Sequence, residues 1–443
     1  METTTLKRCC VYLLLITGMI ACKKEVAPPP PEVTTESFSN SCAVPVSWFK
    51  LEQKLIKESP GFAPPVAARA IAYTGIALHE AVVWGIYGVP TLKGQLDGLT
   101  TLPTPESGKR YIWAIAANSA MADIIRYLFP NASPANLQLI DQQESNDLTS
   151  LSDGYTQADI DRSTAFGKQI AAAIYQWSAA DGGKDGYLNN FPTDYTPPVG
   201  PGLWVPTPPG FQRAMLPYWG NNRLLVKPDQ PDLTRILPPP YSTDTTSAFY
   251  QSANGVYKIS KTLTPEQNTI AKYWADGSNT FTPPGHLIGI AVQLVSEQHL
   301  SLGQAASLLA KVGIGLNDAG IICWKYKYKY NVLRPVTYIR NRIDTGWNSL
   351  IGTPPFPAYT SGHATFSSAV GHILEDYFGH SFAFTDKQKI PDGFTPRYFD
   401  NFNAMIDEAA ISRVYGGIHY DFDSENGKQT GKELADHVLS LRY

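Results

Sequence analysis

Charge is scarce in this 443-residue chain: only 17% of its residues are Asp, Glu, Lys or Arg, and 36 basic against 39 acidic residues leave a net charge of -3. Without a basic excess there is no electrostatic footprint for non-specific nucleic-acid binding, so a nucleic-acid partner is excluded. Cysteine is rare as well. The 5 present form no Cys/His cluster at metal-ligand spacing, which removes zinc-ribbon readings. No stretch sustains the period-two alternation of half-buried strands. The 35 Gly and 35 Pro follow no repeating period, so collagen-like and low-complexity architectures fall away. What is present is 43% hydrophobic and 12% aromatic composition, at a length that supports one large or two ordinary domains with real cores.

The N-terminus reads as an export signal. Lys7 and Arg8 precede an apolar stretch, Val11 to Ala21. Even with Cys9 and Cys10 it reaches only about 14 residues, short of the roughly 20 that a membrane-spanning helix needs. Met19-Ile20-Ala21-Cys22 resembles a bacterial lipoprotein processing site, with Met19 where Leu is usual. That resemblance implies a signal peptide over 1–21, lipidation of Cys22, and a protein exported and lipid-anchored in the bacterial cell envelope, at the outer membrane. An ordinary secretory signal is the alternative. Residues 22–45, with prolines from Pro28 to Pro31, suit a stiff tether. A Cys42–Cys323 disulfide is open to an oxidising compartment, with nothing local to support it.

From about Val46 the dominant pattern is helical, with apolar residues at three- and four-residue spacing. Helices are expected over 64–88, 108–129, 156–180, 265–275, 285–295, 302–324, 365–378, 399–415 and 427–441. The interval 181–263, rich in Pro, Gly, Tyr and Trp, reads as irregular chain wrapped over a helical core. The expected fold is therefore all-α and bundle-like, with an N-terminal half over 46–260 and a C-terminal half over 261–443.

Three segments of the C-terminal half carry chemistry. In the first, Lys327 to Arg334 is a seven-residue step, about two helical turns, placing both cations on one helix face that ends at Pro335. With Lys325 and Lys329 nearby, the segment taken alone reads first as a solvated basic surface. In the second, a proline-rich run from Pro354 stops at Thr360-Ser361 and a helix begins at Gly362-His363. Thr360 or Ser361 is the expected N-cap, and the free amides of the helix start favour an anion, which Gly362 would let approach. In the third, Gly416-Gly417 interrupts the helix between Arg413 and His419 and turns the histidine back. Its bland reading is a helix end followed by a core histidine. Together the segments assemble three cations (Lys327, Arg334, Arg413), the neutral donors Ser361 and Gly362, and two histidines. That set suits a tetrahedral oxyanion such as phosphate or vanadate, with one histidine as nucleophile or ligand and the other as proton donor.

The blocks KYKYNVLRP, YTSGH and SRVYGGIH, in that order, resemble the signature of the type 2 phosphatidic acid phosphatase/vanadium haloperoxidase superfamily. The flanking LNDAGIICW and PPFPAYTSGHATF are closer to the haloperoxidase branch. The clear resemblance runs from about Leu263 to the end, and one departure is Thr360, where the motif usually has proline. It implies the helical-bundle fold of that superfamily, with long irregular loops. It also implies a vanadate cofactor held by Lys327, Arg334, Ser361, Gly362 and Arg413, with His419 as axial ligand of vanadium and His363 as acid–base residue. The implied activity is oxidation of halide by hydrogen peroxide at V(V). Phe356 occupies the position linked to halide preference, aromatic in chloride-oxidising relatives.

Two alternatives stand beside it. The same cage suits an acid phosphatase acting on phosphomonoesters through a phosphohistidine at His419. A non-catalytic glycan-binding lipoprotein, using the aromatic loops of 181–263, would leave the ordered Lys/Arg/Ser-Gly-His/Arg-His set unexplained. Of the remaining histidines, His79 reads as a core or supporting residue and His286 as a helix cap. His299, His372, His380 and His437 show no converging partners. Asp421 or Asp423 would orient His419, Asp423 being equally suited to capping the last helix. Nothing in the chain speaks to oligomeric state.

Overall fold

The computed structural model describes residues 41–226, 237–277 and 279–443. Residues 1–21, Cys22 and the tether up to residue 40 lie outside that set, and with them the signal-peptide and lipid-anchor expectations. Among the described residues, regular structure is almost entirely helical, as the missing period-two pattern requires. The N-terminal helices are α1 (Ala43–Glu58), α2 (Pro64–Val82), α3 (Trp113–Leu128), α4 (Pro134–Leu151) and α5 (Gln157–Ser178). There follow α6 (Ala248–Lys261), α7 (Pro265–Tyr273), α8 (Thr282–Glu297), α9 (Leu302–Tyr330) and α10 (Pro335–Arg342). The chain closes with α11 (Gly362–Phe378), α12 (Phe402–Tyr415) and α13 (Asp421–Leu439). One short antiparallel pair, β1 (Phe384–Asp386) and β2 (Arg397–Phe399), is registered Phe384 to Phe399.

The centre is the pairing of α2 with α9. A Cβ on Gly75 would fall 2.9 Å from the Leu309 carbonyl, and one on Gly313 2.9 Å from Ala72 Cα, so glycine on each helix permits the approach. Both helices are long and apolar enough to cross a membrane, yet the apolar windows are 100% and 89% buried inside the protein, as core helices should be. The hydrophobic cluster is continuous from Cys42 to Val438 and runs across residue 260 without a break. At the other end of the bundle α13 packs on α11, where a Cβ on Gly431 would lie 2.4 Å from the Thr365 carbonyl. That close approach carries the start of α13 over the start of α11, where the site lies.

The structure departs from the sequence expectations at identifiable places. Helix α1 begins at Ala43, inside the stretch assigned to the tether. Helix α4 escapes periodicity because only Asn136 and Ile140 are buried on it, although Ser133 caps it and Pro134 opens it. Helix α6 lies within the interval read as irregular. Helix α9 runs on past Trp324 to Tyr330, where Asn331, at φ 47°, closes it in the left-handed conformation. Arg334 is therefore not two turns along the helix of Lys327: it is the N-cap residue of α10, at ψ 152°. Cys42 and Cys323 are free and buried, so the disulfide does not form.

Candidate active site

Three cations are buried together, none of them in an ion pair with a carboxylate among the described residues. Lys327 and Arg334 are 0% exposed and Arg413 is 2% exposed. Lys327, on the last turns of α9, points its Nζ at the backbone of the proline-rich run, 3.1 Å from the Pro357 and Ala358 carbonyls and 2.5 Å from that of Thr360. Thr360 thus serves through its carbonyl in spite of replacing the motif's proline. Arg334 donates from Nε to the Phe356 carbonyl and from Nη1 to the Ile418 carbonyl, each at 2.8 Å. Arg413, in the last turn of α12, donates from Nη1 to the Trp274 carbonyl at 2.6 Å. Among the described residues none of the three forms an ion pair. Arg334 Nη2 and Arg413 Nε are buried with no partner at all.

Burial pulls all three basic groups down from their ordinary values, Lys327 to about 8, Arg413 to about 9 and Arg334 to about 10. Both arginines remain charged at neutral pH. Desolvated, unpaired cations are costly, and an oxyanion among them is the arrangement that offsets the cost.

Ser361 is the N-cap of α11, its Oγ accepting the Ala364 N–H at 3.4 Å while its own proton remains free to donate. The Gly362 N–H belongs to the first turn, which has no intrahelical acceptor. A Cβ on Gly362 would meet nothing closer than 3.9 Å, so the chain's own packing does not demand glycine there.

His419 and His363 are both held neutral, for related reasons. Burial, then Arg334 and Lys327, drive His419 well below the usual imidazole value. Burial, then Arg413, do the same to His363. His419 Nδ1 faces Asp423 Oδ2 at 2.9 Å. The carboxylate accepts the hydrogen bond from Nδ1–H, which leaves a lone pair on Nε2 that receives Arg334 Nη1 at 3.1 Å. Asp423 Oδ2 also accepts the Tyr420 N–H at 3.0 Å, so the residue both orients His419 and caps α13, while Asp421 stays exposed. The Trp274 carbonyl that receives Arg413 also acts on His363, raising it against that fall without reversing it, and His363 Nε2 is buried without a partner. Gly417, at φ 75°, makes the turn between Arg413 and His419.

Phe356 roofs the cage, its ring centroid 4.9 Å from Lys327 Nζ and 5.0 Å from Arg334 Cζ. Every site residue expected from the sequence, Cys22 aside, is thus gathered at one place. What the sequence reading missed is the Trp274 carbonyl, and behind it His286. That histidine is no cap: it is buried between Asp276 and Asp386. Its signal, a lone His after Pro283-Pro284-Gly285, is indistinguishable from a helix start without the fold. His372 and His380 do have a shared partner, each 3.0 Å or less from the Glu375 carboxylate.

A family model described as the VCPO second helical-bundle domain matches residues 307–442, the segment that holds most of the cage. The vanadium chloroperoxidase of Curvularia inaequalis is 25% identical over 464 residues, spanning 82% of this chain and 75% of that protein. The crystal structure of a bacterial vanadium-dependent iodoperoxidase superposes with a TM-score of 0.81 at 31% identity, covering 90% of this chain and 96% of the other. A holo-type bacterial vanadium-dependent chloroperoxidase shares the fold at a TM-score of 0.62 and 17% identity, over 87% of this chain and 94% of its own.

Proposed function

This chain belongs to the vanadium haloperoxidase family, and on that premise we propose that it oxidises halide with hydrogen peroxide in a vanadate-dependent reaction. The observation that carries the reading is the trio of buried atoms left without partners, Arg334 Nη2, Arg413 Nε and His363 Nε2, around an uncharged, oriented His419. These residues fit vanadate, the cofactor of the family: Lys327, Arg334 and Arg413 would neutralise its charge, Ser361 and the Gly362 amide would donate to it, and His419 Nε2 would ligate it. When bound, vanadate supplies a Lewis acid that activates peroxide toward halide without changing its own oxidation state.

The rest falls to side chains. His363 Nε2, neutral and free, is the atom placed to take a proton from incoming peroxide. Asp423 holds His419 in the tautomer that offers Nε2. Phe356 closes the cage above two of its cations and is the residue that would face the halide. The cage is preorganised by backbone carbonyls that already hold each cation in place, so little reorganisation would accompany binding.

The test is a halide assay on the purified protein, with and without orthovanadate, in iodide, bromide and chloride in turn. Peroxide-driven halogenation of a phenol reporter is expected only with vanadate. If vanadate merely inhibits, and the untreated protein hydrolyses p-nitrophenyl phosphate, the cage serves phosphoryl transfer through His419 instead.

A further inference from the structure

Resting on that reading of the cage, we infer that His286 is a positioning residue for its Arg413 side: it holds the Trp274–Asp276 segment so that the Trp274 carbonyl aims Arg413 and the Asp276 carboxylate stays off that cation.

Three distant segments meet at His286. Its Nδ1 lies 2.8 Å from Asp276 Oδ2, on the loop after α7, and its Nε2 lies 2.9 Å from Asp386 Oδ2, on β1. All three side chains are fully buried. A neutral imidazole has one N–H to give, so carboxylates at both nitrogens require the imidazolium. Burial alone would push this imidazole down, but Asp276 and Asp386 outweigh it and raise the group to about 10. Lys389 completes the set, its Nζ 3.2 Å from Asp276 Oδ1 and 2.8 Å from Asp392 Oδ2.

Both oxygens of Asp276 are therefore claimed, one by His286 and the other by Lys389. This matters because Asp276 is the carboxylate that acts most strongly on Arg413, and it acts on His363 as well. Released from His286, it would turn to Arg413 and neutralise the cation the oxyanion needs. Arg413 Nε stays without a partner because Asp276 is held elsewhere.

The second link is Trp274. Its indole stacks on the His286 ring, with centroids 4.7 Å apart and planes 22° apart, and its Nε1 donates to Glu408 Oε1 at 2.9 Å. Its carbonyl accepts from Arg413 Nη1 at 2.6 Å. A single residue thus rests on His286 through its side chain and holds the cage through its backbone.

The test uses the anion-free full chain carrying His286→Gln, which keeps a hydrogen bond but loses the charge. Orthovanadate and inorganic phosphate are titrated calorimetrically below the melting temperature. Both affinities are expected to fall by roughly 10- to 100-fold, as for loss of groups that orient a ligand shell. A purely structural His286 would lower the melting temperature and leave the folded protein's affinities within twofold of the parent, which overturns the proposal. Should His286→Gln not fold, Lys389→Met frees the second Asp276 oxygen and is expected to weaken phosphate binding in the same direction; unchanged affinity there overturns it too. In the parent protein, imidazole NMR at neutral pH should show two slowly exchanging ring N–H protons for His286, and a single one contradicts the arrangement. Phosphate binding reads the cage without halide chemistry, so a parent protein that binds phosphate yet oxidises no halide defeats the proposed function and leaves this inference standing.

Discussion

His419→Ala should bring vanadate-dependent halide oxidation to background, a loss of roughly a thousand-fold or more, in a protein that still folds and still binds phosphate. The site has two separable parts. The cations and the α11 start attract any tetrahedral oxyanion through charge and hydrogen bonds, and His419 contributes little charge to that attraction because burial and its cationic neighbours keep it neutral. What it contributes is one oriented lone pair on Nε2, which Arg334 Nη1 contacts at 3.1 Å and which Asp423 sets by holding Nδ1 at 2.9 Å. Removing the ring would therefore remove the proposed bond to vanadium and leave the cage. Calorimetry should show vanadate affinity collapsing toward that for phosphate, with phosphate changing far less. His363→Ala is the contrast: it removes the proton-accepting Nε2, and kcat should fall while vanadate still binds. Vanadate-dependent turnover that survives in His419→Ala would remove the axial-ligand assignment.

Arg334→Met carries the second large effect, on binding itself. Arg334 is fully buried, spends Nε and Nη1 on two carbonyls at 2.8 Å, and keeps Nη2 unpaired beside His419. Truncating one member of a buried, hydrogen-bonded charge pair costs about 2–5 kcal/mol, or roughly 30- to several-thousand-fold in affinity. The expected result is oxyanion binding weakened within that range and nearly insensitive to added salt, since screening acts weakly on buried charge. Arg334→Lys should recover only part of the loss: the charge returns, but the fork that reaches two carbonyls and the ligand at once does not. An affinity equal to the parent's in Arg334→Met would mean that the anion binds elsewhere.

Much of the cage was legible because its residues come in short blocks whose chemistry makes sense only in combination. Lys327, Arg334, Ser361, Gly362, His363, Arg413 and His419 converge as expected, but for one pair the expected route was wrong. Lys327 and Arg334 were placed on one continuous helix; they meet because α9 ends at Asn331 and α10 starts anew at Arg334. The motif survives because it encodes a meeting point and is indifferent to the path. Helices with an apolar face, such as α2 and α9, were visible by periodicity, whereas α4, with almost none buried, was not. The Trp274 and His286 support was invisible for another reason. His286 and Asp386 are 100 positions apart, and Arg413 and Trp274 are 139 apart, with a backbone carbonyl as the acceptor in the second case. A carbonyl has no letter in the sequence, and a buried charged histidine looks like any other until its partners are placed.

The central claim is that one oxyanion, bound at His419 inside three buried cations, makes this protein a halide-oxidising enzyme. Stepwise titration of the anion-free protein with orthovanadate, assaying bromide oxidation by peroxide at each step, addresses it directly. The account predicts activity that starts at zero, rises in proportion to added vanadate, and breaks to a plateau at one equivalent. Activity already present without vanadate, or none at any ratio, would contradict it.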